Sequence, residues 1–211
     1  VVRSLRDDLY DMLDGPDPDG FVHPFAALVL SEVARVDRVS PYLSNQERDA
    51  MLLRATNFMT SETDYRGFSD AEGWRHGIAH GADWLMQLSL NPALTEVDRN
   101  IIYQSVASQV QAADGHAYIF GEAERLARPY LFAARGEEAN EDIWVDRLIA
   151  VANPSPMTDW SEAYGSEKDL ARLHNLKAFL RVLLVNTTMS ENPSLKAMVP
   201  AILAVMRTLP A

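Results

Sequence analysis

Gly73-Trp74-Arg75-His76-Gly77-Ile78-Ala79-His80-Gly81-Ala82-Asp83 decides how the rest of the chain is read. With Leu85 and Met86 following, Ile78 and Ala82 recur at helical spacing, so the pattern predicts a helix over 73–90. On that helix His76, His80, Asp83 and Gln87 fall within a band of roughly 60°, across from the apolar residues. Gly77 and Gly81 share one flank with Trp84 and Leu88. An interior glycine costs about 1 kcal/mol relative to alanine, so the pair predicts that another element approaches the backbone closely there.

The same periodicity runs outward in both directions, and nothing reads as a β-strand. Nine helices are expected, at 3–14, 22–38, 45–60, 73–90, 96–113, 122–135, 138–152, 167–187 and 194–208. Ser44-Asn45-Gln46-Glu47 matches a capping box, and Thr95, Ser166 and Ser194 suit N-caps. Asn91-Pro92, Gly136 and Asn153-Pro154 mark stops. Long loops are expected at 61–72 and 154–165. The more apolar helices begin near residues 22, 73, 122 and 171, a weak repeat of about 50 residues. The expected fold is therefore all-α, one domain over 1–211. It is read as a right-handed α/α superhelix of stacked helical hairpins of the HEAT or armadillo kind, with an irregular helical bundle as the alternative.

Composition narrows the function. Hydrophobic residues make up 47% of 211, enough for a sizeable core. A net charge of -11 disfavours nucleic acid and anionic membranes as partners. The chain has no cysteine, which removes disulfides, thiolate metal sites and cysteine nucleophiles and fits a reducing, cytoplasmic setting. No apolar run approaches the roughly 20 residues of a membrane span. Phosphate loops, dinucleotide fingerprints and serine elbows are absent from the sequence.

The chemistry-bearing residues cluster around the opening stretch. His76 and His80 have the i, i+4 spacing that can share one divalent ion, with Asp64, His23 or His116 as further donors. The glutamate that would follow the first histidine of a zincin helix is replaced by Gly77. Alternatively, Asp83 accepts from a His80 ring nitrogen and fixes its tautomer. Asp64 and Arg66 suit a charged tight turn that pins the loop to the helix start. Glu122 and Glu124 suit a helix N-terminus, Arg125 is an inward partner for Glu32 or Asp83, and Pro129 is expected to kink that helix. The helix over 22–38 is apolar almost all round, so it is expected at the centre of the fold. Glu32 and Arg35 would form an internal ion pair within it. His23 and His174 read as cap or surface histidines. Trp74, Trp84, Trp144 and Trp160 read as packing residues, with Trp160 in a loop that could cover a groove.

Several of these stretches together resemble a bacterial family known as domain of unknown function 2785. The matching residues are Phe21-Val22-His23-Pro24-Phe25-Ala26-Ala27-Leu28, Asp64-Tyr65-Arg66-Gly67-Phe68, the run Gly73 to Asp83, and Glu122-Ala123-Glu124-Arg125-Leu126-Ala127. The chain departs from the family pattern at His23-Pro24, where a hydroxyl or arginine pair is expected. The resemblance implies an all-helical, repeat-like domain and no particular activity. The leading expectation is thus a binding or scaffold module that takes a protein or peptide partner. Its polar groove would be lined by His76, His80, Asp83, Asp64, Arg66, Glu122, Arg125 and Glu32. The rival expectation is a metal-assisted hydrolase in which His76 and His80 hold a divalent ion.

Overall fold

The computed structural model describes residues 1–210, and the fold is all-α. Its helices are α1 (Val2–Asp14), α2 (Val22–Val39), α3 (Asn45–Ser61), α4 (Gly77–Ser89), α5 (Glu96–Val110), α6 (Glu122–Ala134), α7 (Glu141–Val151), α8 (Glu167–Thr188), α9 (Pro193–Lys196) and α10 (Met198–Thr208). A 3-10 turn at Trp160–Gly165 leads into α8. Two short strands, β1 (Phe68–Ser69) and β2 (Gly73–Trp74), pair antiparallel before α4. Ser44 and Glu47 cap α3 reciprocally, as Thr95 and Asp98 cap α5, and Ser166 caps α8 through the Asp169 amide. Ser194 departs from expectation. Asn192 caps the short α9, and the Ser194 hydroxyl donates to the Glu137 carbonyl. The single last helix expected over 194–208 is thereby split in two at Ala197. Helix α6 runs through Pro129 without ending.

The helices form two rows. One holds α2, α4, α6 and α8, and the other holds α1, α3, α5 and α7, with α10 packed on α7 and α8. Cross-helix contacts fix the direction within each row. Pro24 meets His80 and Asp37 meets Asn91 just past α4, so α2 and α4 run parallel. His76 meets Glu122 and Asp83 meets Arg125, so α4 and α6 do too. In the other row Arg3 pairs with Glu47 and Arg54 with Asp14. No helix among the described residues is long and apolar enough to cross a membrane.

The centre is α4, not α2. Twelve residues of α4 are buried, and Trp84 and Leu85 are sealed from solvent. Helix α2 lies at the end of its row and leaves Val22, Phe25, Val29, Val36 and Val39 exposed along one stripe. Its Glu32 and Arg35 do pair, at 3.0 Å, but on the surface, away from the histidines. The reading of α2 as central fails because an all-round apolar composition also suits a helix with one uncovered face.

The glycine reading holds. A Cβ on Gly81 would sit 2.9 Å from the Phe58 ring and 3.2 Å from the Met59 methyl, both from α3. One on Gly77 would sit 2.6 Å from the Glu62 carboxylate. Beyond these, Trp144, Tyr130 and Phe179 form the buried aromatic centre of the second half, with Tyr130 and Phe179 edge to face at 5.7 Å. Trp160 is buried as well, and its indole N–H donates to the Ala152 carbonyl at 2.8 Å.

Candidate functional site

The helix expected from residue 73 begins at Gly77, and the reason lies in the backbone. The amides of Arg75 and His76 donate to the carbonyls of Gly67 and Arg66, at 2.9 and 3.0 Å. They are therefore committed to the strand pair rather than to a helix. His76 itself is left-handed, with φ of 59°. For a residue with a Cβ that conformation costs on the order of 1–2 kcal/mol. It turns the chain sharply from β2 into α4. The His76 carbonyl still accepts the first helical bond, from the His80 amide at 3.0 Å. Thus the two imidazoles keep their one-turn relation, with ring centroids 5.9 Å apart.

His80 has one defined partner. Its Nδ1 lies 3.1 Å from the Pro24 carbonyl oxygen in the first turn of α2, which has a lone pair for a side-chain donor beside any helical bond. A carbonyl only accepts, so the neutral ring carries its proton on Nδ1 and presents Nε2 as an acceptor. Burial first, then the neighbouring His76, push the His80 pKa down to about 4. The Pro24 hydrogen bond and Asp83 oppose that shift without cancelling it. His80 is 7% exposed. At neutral pH it is therefore an uncharged hydrogen-bond acceptor.

His76 faces Glu122 on the other side. Nε2 and Oε1 are 3.3 Å apart but not aligned as a hydrogen bond. Glu122 is 1% exposed, and its second oxygen accepts from the Phe120 amide at 2.9 Å. Burial pushes this carboxyl up, but His76 and the surrounding backbone N–H groups outweigh it and hold it below the usual carboxylate range. Its place at the start of α6 favours the charged form in the same sense. One turn along, Asp83 accepts from Arg125, and Arg128 approaches its other oxygen at 3.9 Å. Asp83 does not orient His80: the carboxylate is taken by arginine, and the Pro24 carbonyl fixes the ring.

The site also contains rings that the sequence assigned to packing. Phe68 meets Trp74 at 5.1 Å, Trp74 meets His76 at 4.8 Å, and His80 meets Phe25 at 5.2 Å. Phe120 closes on Trp74 at 5.8 Å. The result is a continuous track from Phe68 through Trp74, His76 and His80 to Phe25, open to solvent at both ends. Trp74 is 45% exposed and Phe25 42%. Trp74 is thus not a core residue, unlike Trp84, Trp144 and Trp160. In the sequence nothing set Phe25 apart from the other apolar residues of α2. Nothing in the sequence pointed to the Pro24 carbonyl.

The remaining candidates lie elsewhere. Asp64 grips Arg66 through Nε at 2.7 Å and Nη2 at 2.5 Å, and both stand against Gly20 in the α1–α2 loop. Arg75 supports the same loop, donating to the Asp19 carbonyl at 2.8 Å and lying over Phe21. The Asp64–Arg66 pair thus forms, but it stands against the α1–α2 loop and not at the helix start where the sequence placed it. His23 caps the end of α1 at the Gly15 carbonyl, 2.8 Å away, and His174 reaches the Tyr118 carbonyl at 3.3 Å. His116 stacks on Tyr65. Asp64, His23 and His116 therefore do not join His76 and His80, and Glu32 is remote from them. Among the described residues no three His, Asp or Glu side chains form a set that could hold a metal ion. The pairing of His76 with Glu122 and of His80 with a backbone carbonyl leaves the expected two-histidine ion site without a third donor.

No curated protein and no solved structure matches the chain. A protein family matches from within α1 to within α8, a span that contains every residue of the ring track and both ion pairs beside it. Over residues 9–185 the chain belongs to the family described as protein of unknown function, DUF2785.

Proposed function

We propose that this chain is a binding module that takes an extended protein or peptide segment along the ring track over α2, α4 and α6. One observation supports this reading above the others: the run of rings from Phe68 to Phe25, exposed at its ends and interrupted by an uncharged acceptor at His80. Half-exposed aromatic rings offer large contact area with little side-chain entropy to lose, which is the chemistry of interface anchors. Nε2 of His80 would accept from a backbone N–H of the segment. Arg125, one-third exposed and beside Asp83, would attract an acidic group. For hydrolysis His80 would have to act as a base, and its pKa of about 4 makes it a weak one.

Display of random peptides against the intact chain tests the proposal. Enriched peptides are expected to pair an aromatic or aliphatic residue with a nearby acidic one. Their affinity should fall about tenfold or more with Trp74→Ala or Phe25→Ala, whose side chains are too exposed to hold the fold together. Absence of enrichment, or enriched peptides that ignore both substitutions, would contradict it.

A further inference from the structure

A half-open cavity of about 340 Å³ is lined by residues of α4, α6, α8 and α9 and by Arg135 just past α6. Its floor is apolar, made by Met86, Leu131, Phe132 and Leu195, while Arg128, Arg135 and Asn186 stand at its rim. No aspartate or glutamate lines it. The chain as a whole carries a net charge of -11, so its acidic groups lie elsewhere. Elsewhere Arg3, Arg48, Arg54, Arg66 and Arg147 each close on a carboxylate at 2.9 Å or less. Arg128 has only the 3.9 Å approach to Asp83, whose other oxygen is already taken by Arg125. Arg135 lies over the Phe132 ring at 4.7 Å, with no carboxylate partner among the described residues. Asn186 spends an amide N–H on the Val182 carbonyl at 2.8 Å, which leaves its oxygen free to accept.

We propose that this cavity binds a small organic anion, an oxyanion head on a short unbranched apolar chain. Arg128 on α6 and Arg135 at its C-cap are two helical turns apart, a rise of about 10 Å that two long side chains can close around one head group. Guanidinium groups suit carboxylate and phosphate alike, because both present paired oxygens. The chain would lie on Phe132 and Met86. The volume stands at the small end of the roughly 300–1,000 Å³ of ligand clefts, which limits the ligand to a few carbons beyond its head. This inference is independent of the ring track, since Phe25, Trp74 and His80 take no part in the cavity.

Titration calorimetry of the intact chain with hexanoate, hexyl phosphate and hexan-1-ol tests it. At least one of the two anions should bind saturably, about tenfold or more tighter than the alcohol, and the tighter anion identifies the head group. Arg135→Gln should remove that preference, and added salt should weaken anion binding. Trp74→Ala should leave it unchanged. Equal binding of anions and alcohol, no saturable binding of either anion, or a preference that survives both Arg128→Gln and Arg135→Gln would overturn the proposal.

Discussion

A histidine whose Nδ1 meets a backbone carbonyl has its tautomer chosen for it, and that is the situation of His80. The same geometry predicts how the residue acts on stability. Folded His80 titrates near 4, against 6.5 for a free side chain, so between those values the unfolded chain binds more protons. The contribution is whole above about 6.5 and is lost as the pH falls toward 4. His80→Gln, which can still donate to the Pro24 carbonyl, should flatten the stability profile across that window. Urea unfolding at a series of pH values would show it, and parallel profiles for the two proteins would refute the assignment. Gly81 gives a second test. Alanine there gains about 1 kcal/mol of helix propensity but forces a methyl against Phe58 and Met59, a crowding that costs about 1–3 kcal/mol. A net loss of about 1 kcal/mol is expected in the same assay. Arg125→Met should cost about 1–3 kcal/mol, because it leaves the buried Asp83 carboxylate with only the distant Arg128. Adding Asp83→Asn should recover part of that loss; no recovery would mean that the ion pair is not the cause.

At the level of elements, what is local was legible and what is long-range was not. The capping box at Ser44 and the N-cap at Thr95 could be read because serine or threonine ahead of an acidic first turn is a short-range signature; that Asp98 completes a second box was not read. Ser44→Ala is expected to lower stability by about 1 kcal/mol in thermal unfolding, and an unchanged midpoint would show that Glu47, also gripped by Arg3 and Arg6, holds the helix start alone. The β1–β2 pair escaped because strands of two residues leave no alternation to detect. The true start of α4 escaped for a related reason. A left-handed residue is usually announced by glycine or asparagine, and here it is His76. Ser194 misled because a serine before a helical stretch suits a cap equally well as an interior hydroxyl that bonds another element.

Across the whole molecule, the all-α class followed from periodicity, which is a property of each helix by itself. The order of burial within the row of α2, α4, α6 and α8 did not follow, since composition alone cannot say which apolar helix has neighbours on both sides. The pairing of Asp83 with Arg125 was legible as one of two options. The stacking of Trp74 and Phe25 around the histidines was not, because it depends on where the strand pair and α2 meet α4. Helices α9 and α10 lie beyond the family match yet bury Leu195, Met198, Ala201 and Ile202 against the rest. Removing residues 190–210 should therefore lower the melting temperature and broaden the transition, by uncovering the faces of α7 and α8 that α10 packs against. The most direct test of the site around His80 is long-range proton–nitrogen NMR of the imidazoles. The account predicts that His80 stays neutral from pH 7 down to about 5, with its proton on Nδ1 and Nε2 bare. A proton found on Nε2, or a midpoint near 6.5, would contradict it.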